Sequence, residues 1–157
     1  MLSARLATLG LELPAAQAPV ATYVMARRAG DLLFVSGHVA RDENRGVVRG
    51  VVGADIEPAA AQRLARAVAL DILASAAAAL GSIDSVAGVV RITGYVRSAP
   101  GFDGQPGVVN GASDLFVEVF GDSGRHARSA VGVSELPLGA ALEIEAIFDV
   151  APASDQG

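Results

Sequence analysis

Near the C-terminal end of the chain, apolar and polar residues alternate. Leu142, Ile144, Ala146, Phe148 and Val150 interleave with Glu143, Glu145, Ile147 and Asp149. That period of two predicts a strand over residues 141–150 with one face on a core. Residues 127–133 read as the strand before it, joined through the turn Pro137-Leu138-Gly139. The pattern changes in the alanine-rich stretch. Asp55 is a plausible N-cap, Pro58 suits a first turn, and Arg63, Ala67, Leu70 and Leu73 lead to Leu80 and the stop at Gly81. So many alanines let this helix lie close on a sheet. Residues 20–28 and 32–36 predict two strands around Ala29-Gly30-Asp31, and 46–52 a third short one. Residues 85–96 read as a long strand, and 98–107 as a loop rich in proline and glycine. Ala112, Leu115, Phe116, Val119 and Phe120 have helical spacing within 109–120. The predicted order is β-β-β-α-β-α-β-β, with a short helix over 3–9 before it. It describes an α+β fold: one domain over 1–157, with a six-stranded mixed sheet and two helices on one face.

The last two strands also suggest where chemistry sits. If Val131 and Val133 join the core, then Arg128, Ala130 and Gly132 share the polar face with Glu143 and Glu145. A bare solvated face has no need of small residues there; a cleft or a second protein layer does. A hairpin centred near Leu138 pairs Glu143 with roughly Gly132 or Val133. At about 3.4 Å per residue, that keeps Arg128 and Glu143 of one chain from facing each other. They can share a site through a bulge or across a subunit boundary, and the boundary is the expectation.

Composition narrows the chemistry. Among 157 residues there is no cysteine, and all 12 basic side chains are arginines. Thiolate nucleophiles, cysteine-ligated metals, Schiff-base lysines and P-loops are thereby excluded. Two histidines, His38 and His126, are too few for a typical all-protein transition-metal site. Gly104, Gly107 and Gly111 lack the strand–loop–helix setting of a phosphate cradle. The net charge of −5 makes nucleic acid and anionic membranes poor partners, while small carboxylates or phosphates remain open. The best apolar run, residues 67–80, contains Asp71 and Ser75 and falls short of a membrane span. Residues 1–10 lack the pattern of a secretory signal, so a cytoplasmic protein is expected. An apolar fraction of 52% fits surface buried between subunits.

Ala127-Arg128-Ser129-Ala130-Val131, Leu136-Pro137 and Glu143-Ile144-Glu145-Ala146-Ile147 resemble the C-terminal signature of the RidA (YjgF-type) reactive-intermediate deaminase family. The resemblance extends to Leu33-Phe34-Val35-Ser36-Gly37, Tyr23 and Asn110, and covers about residues 18–150. It implies a chorismate-mutase-like fold and a homotrimer with a ligand cleft between subunits. It also implies cofactor-free hydrolysis of 2-imino or enamino acids, such as 2-iminobutanoate and 2-iminopropanoate, to 2-keto acids and ammonia. Arg128 matches the residue that binds the substrate carboxylate, a role suited to a bidentate guanidinium. Glu143 matches a carboxylate that places water. Tyr23 and Asn110 match positions lining the site, although a strand tyrosine also packs and an asparagine also caps helices. Backbone groups near Gly37 and Ala130 are further expected ligand contacts, with Ser36 and His38 beside them. His38 reads either as an acid–base group or as a bond donor to its own loop. The chain departs from the family pattern in having Ala21-Thr22 for Gly-Pro, Met25 and His38 for glutamines, Ala130 for a cysteine, and a longer loop over 99–106. These mark a divergent subgroup. A non-catalytic carboxylate-binding trimer and an endoribonuclease are the other function classes.

Overall fold

Helix α2 (Pro58–Leu80) and helix α3 (Gln105–Phe120) cover one face of a single sheet in the computed structural model, which describes residues 1–152. Residues 153–157, the polar end of the sequence, lie outside the described residues. The sheet has five strands: β1 (Ala26–Ala29), β2 (Leu32–Val39), β3 (Val86–Arg97), β4 (Ala127–Val133) and β5 (Leu142–Val150). Their spatial order is β1-β2-β5-β3-β4. Only β3 and β4 run parallel; the remaining pairs are antiparallel, so the sheet is mixed. A short helix, α1 (Leu2–Thr8), precedes them as the pattern predicts.

The α+β class and the helical face agree with the sequence, and several details differ. Residues 46–52 form no strand; they make isolated bridges, Arg41 with Val47, Arg49 with Ala140, and Val52 with Ile56 and Ser98. The first strand is shorter than predicted, so Tyr23 lies in the bend before β1. Helix α3 begins at Gln105, inside the predicted loop, with Pro106 in its first turn, where a missing N–H is harmless. Asp55 does not cap α2; Glu57 holds that position, and the Asp55 carboxylate instead accepts the Val51 N–H at 2.9 Å. Gly81, at φ 79°, stops α2 in the left-handed region that glycine enters readily.

The largest correction concerns the end of the chain. β4 and β5 are not a hairpin, because β3 lies between them. The parallel register pairs Ile92 with Arg128, Gly94 with Ala130 and Tyr95 with Val131. Ile92 is fully buried beneath the helices, so Arg128, Ala130 and Gly132 point to the helical face. Glu143 and Glu145 pair with Tyr95 and Thr93 and point to the open face. The expectation that Arg128 shares their face is therefore wrong, as is the core assignment of Val131, which is 42% exposed.

Small residues set the helix–helix and helix–sheet spacing. A Cβ at Gly111 of α3 would run into the Gln62 carbonyl of α2, and one at Gly94 of β3 would meet the Val109 side chain. Ala61, Ala65, Ala69 and Ala76 give α2 a flat buried face. The core beneath is filled by Leu33, Ile72, Ile92, Leu115, Phe116, Ile144 and Phe148.

Candidate functional site: two half-sites on opposite faces of the sheet

Arg128 extends from β4 over the start of α3. Its Nη1 donates to Asn110 Oδ1 at 2.8 Å and to Ser113 Oγ at 3.2 Å, and its Nη2 donates to the Pro106 carbonyl at 3.3 Å. Every acceptor is neutral. Among the described residues no carboxylate pairs with it. The guanidinium is thus oriented without being neutralised, and its Nε has no partner among the described hydrogen bonds. Asn110, within α3, is a ligand of Arg128 rather than a helix cap. Ala130 follows on the same face, partly buried against the core.

The second group lies at the other face, around the Ser36-Gly37 irregularity of β2. The β2–β5 register shifts between Val35 and His38, which displaces Gly37 from regular pairing. Glu143 fills that space; a Cβ at Gly37 would collide with its carboxylate. Burial first, and the Glu145 charge second, push the Glu143 carboxyl above the usual glutamate value. Ser36 anchors the bend that carries Tyr23: its Oγ donates to the Val24 carbonyl at 2.6 Å and its N–H to Met25 at 2.9 Å. A cavity of about 420 Å³ opens here, lined by Gln17, Tyr23, Ser36, Gly37, Arg41, Leu138 and Glu143. A second, of about 430 Å³, shares Tyr23 and Ser36 and continues to Phe34 and Glu145.

His38 belongs to neither group. Its side chain is fully buried, with Nδ1 donating to the Ser36 carbonyl at 2.6 Å and Nε2 accepting from Ser75 Oγ at 2.8 Å. Desolvation lowers its pKa and keeps the ring neutral, so it pins the Ser36-Gly37 irregularity from the core side and lines neither of these two cavities. Both ring nitrogens are engaged within the protein, by the Ser36 carbonyl and the Ser75 hydroxyl.

Sequence reasoning missed Ser113, Gln17, Arg41 and Leu138. Ser113 was legible in principle, since it follows Asn110 by three residues on one helix face. Leu138, at φ 61°, is a rare left-handed leucine at the cavity rim that nothing in Pro-Leu-Gly foretold.

A family model described as endoribonuclease L-PSP matches residues 14–150. The Trypanosoma cruzi protein TCP17 is 44% identical over 149 residues, covering 94% of this chain and 93% of its own length. The chain belongs to the L-PSP family, also called the RidA (YjgF-type) family. Among solved L-PSP-like folds, a protein of unknown function from Agrobacterium tumefaciens is 42% identical at a TM-score of 0.86, covering 96% of this chain and 92% of its own. RidA from an Antarctic Psychrobacter is 28% identical at a TM-score of 0.59, covering 86% of this chain and 94% of its own. In this L-PSP member, the motif residues fall into two groups: Arg128, Asn110 and Ala130 on the helical face, and Tyr23, Ser36, Gly37 and Glu143 at the open one. Among the described residues no cluster suited to a metal ion occurs, and no helix is long and apolar enough to cross a membrane.

Proposed function

We propose that the protein is a cofactor-free hydrolase of small 2-imino and enamino acids. Its site would form where the Arg128 group of one protomer meets the Glu143 group of the next in a homotrimer. The observation that carries the reading is a guanidinium fixed by three neutral acceptors, with no carboxylate pairing it among the described residues. Such a cation is set for an external anion, and its planar fork suits a carboxylate. Because the two half-sites occupy opposite faces of one sheet, a small ligand touching both needs a second copy of the chain.

The reaction then uses groups this chain supplies. Arg128 holds the substrate carboxylate. Glu143, ionised, takes a proton from water as the water oxygen bonds to C2 of the iminium and the C=N electron pair moves to nitrogen. The tetrahedral carbinolamine collapses after that proton passes to nitrogen: the C–N bond breaks as the hydroxyl oxygen gives its proton to Glu143 to form the ketone, and the departing ammonia takes that proton from Glu143 and leaves as ammonium. Burial of Glu143 supports this role, since a carboxylate with a raised pKa is a stronger base.

The test is release of ammonia and keto acid from imines generated in situ from several amino acids. One charge-assisted anchor is worth about 1.5–3 kcal/mol, so Arg128→Ala should lower kcat/KM by about 10- to 150-fold. Equal rates for the wild type and this variant overturn the reading. The family description makes RNA cleavage the second reading. RNA cleavage with a steep salt dependence of binding is the outcome that favours it.

A further inference from the structure

Arg128 is the end of a longer chain of hydrogen bonds. Its Nη1 donates to Ser113 Oγ at 3.2 Å. Ser113 Oγ lies 2.9 Å from His126 Nε2, and His126 Nδ1 lies 2.6 Å from the Gly124 carbonyl. The proton positions follow from chemistry. A carbonyl only accepts, so Nδ1 carries the hydrogen and Nε2 of the neutral ring is an acceptor. Ser113 must then donate to Nε2, which leaves its lone pairs facing the guanidinium. The ring is fixed in turn by an edge-to-face contact with Phe116 at 6.0 Å. The Gly124 carbonyl is fixed because its residue packs against the end of α3, where a Cβ would strike the Phe116 carbonyl.

We propose that Ser113 and His126 are positioning residues, a relay that fixes the plane of the Arg128 guanidinium so that its free edge presents a fork to a ligand carboxylate. Without the relay, Asn110 and Pro106 still hold the cation in place, but one side of Nη1 is released. The inference rests on the reading of Arg128 as the anion anchor and adds who orients it. Burial first, with the Arg128 charge also contributing, lowers the His126 pKa and favours the neutral ring this geometry requires. The pair acts through Arg128 and has no need to touch the substrate.

The experiment uses the intact protein with Ser113→Ala, Ser113→Thr, His126→Phe and the Ser113→Ala/His126→Phe double variant. The probe is 2-oxobutanoate, measured by calorimetry, together with NMR of hindered rotation in the Arg128 guanidinium. Ser113→Ala should weaken binding about three- to ten-fold and speed guanidinium rotation, as befits loss of one neutral hydrogen bond. Ser113→Thr keeps the hydroxyl and should restore both. His126→Phe keeps the ring packing and should match Ser113→Ala, with the double variant no worse than either, since the two act as one unit. Full additivity of the two single effects overturns the relay. So does unchanged rotation in Ser113→Ala, even with a lowered melting temperature. If 2-oxobutanoate binds and responds to Ser113 while no imine is hydrolysed, the deaminase reading fails and the relay stands. If nothing binds, the rotation measurement still decides.

Discussion

Glu143 is held in a position that opposes its ionisation. Burial behind Gly37 first, and the Glu145 charge second, raise its carboxyl pKa from the usual glutamate value. Water activation needs the charged form, so the acidic limb of kcat/KM against pH should lie above about 4.3, the unperturbed value. Glu145→Gln removes the like charge, the smaller of the two causes, and should move that limb downward; an acidic limb that survives in Glu143→Gln removes Glu143 from the mechanism. The stability sign follows from the same shift. A raised folded pKa contributes stability that is full below the unfolded value and is lost as pH rises through the folded value. At neutral pH the charged side chain therefore weakens the fold, and Glu143→Gln should raise the melting temperature while lowering kcat by about 100-fold or more. A lowered melting temperature would contradict the stability sign, and an unchanged kcat the role of Glu143 in activating water. Arg128 and Glu143 stand out in the sequence through the family motif they match, and the register adds which face of the sheet each takes. His38 was not, because nothing in Ser-Gly-His says whether the ring faces a cleft or Ser75.

Strand and helix identities followed largely from periodicity, but the partners of the last strands did not. Alternation in Ala127–Val133 states that Arg128 and Val131 lie on opposite faces, and that is correct. It does not state which face is the core. Hydrophobicity normally marks the buried side and so points to Val131, a rule that presumes one wet face. Here the outer face is itself partly apolar, with Phe34 at 44% and Val131 at 42% exposure. Nor does sequence adjacency identify the neighbour: β5 leaves β4 at the sheet edge and inserts between β2 and β3. Glycines in α3 carry more information than their helix propensity suggests. Gly111 lets α3 approach the Gln62 carbonyl and Arg66 N–H of α2, where a methyl group has no space and the obstacle is backbone. Gly111→Ala gains helix propensity and should still destabilise by about 1–3 kcal/mol, because overpacking dominates. Chemical denaturation checks this, and a stabilised variant would show that the helices can separate freely. The shift would also move Asn110 and Ser113, so carboxylate affinity should fall with stability.

The division of the site between two faces has a consequence for the assembly as a whole. In a single chain, the sheet separates Arg128 from Glu143, and the open face carries exposed apolar side chains, Val24 and Phe34 at its β1–β2 side and Val131 on β4, with charged side chains between them. The proposed trimer would bury these side chains and bring the helical face of one protomer's β4 edge to the next protomer's Tyr23 and Glu143. Each cleft would then take Arg128 from one subunit and Glu143 from its neighbour. Arg128→Ala and Glu143→Gln homotrimers should each be nearly inactive. Unfolding and refolding them together in equal amounts makes mixed rings, in which about one cleft in four receives both intact groups. The mixture should therefore recover about a quarter of wild-type activity, although neither component has it. A site built within one chain predicts no recovery under any mixing ratio. Val131→Glu supplies the complementary test. It leaves both half-sites untouched within the chain, so loss of activity in step with loss of the trimer, read by light scattering, places the reaction at the boundary; a fully active monomer places it within one subunit.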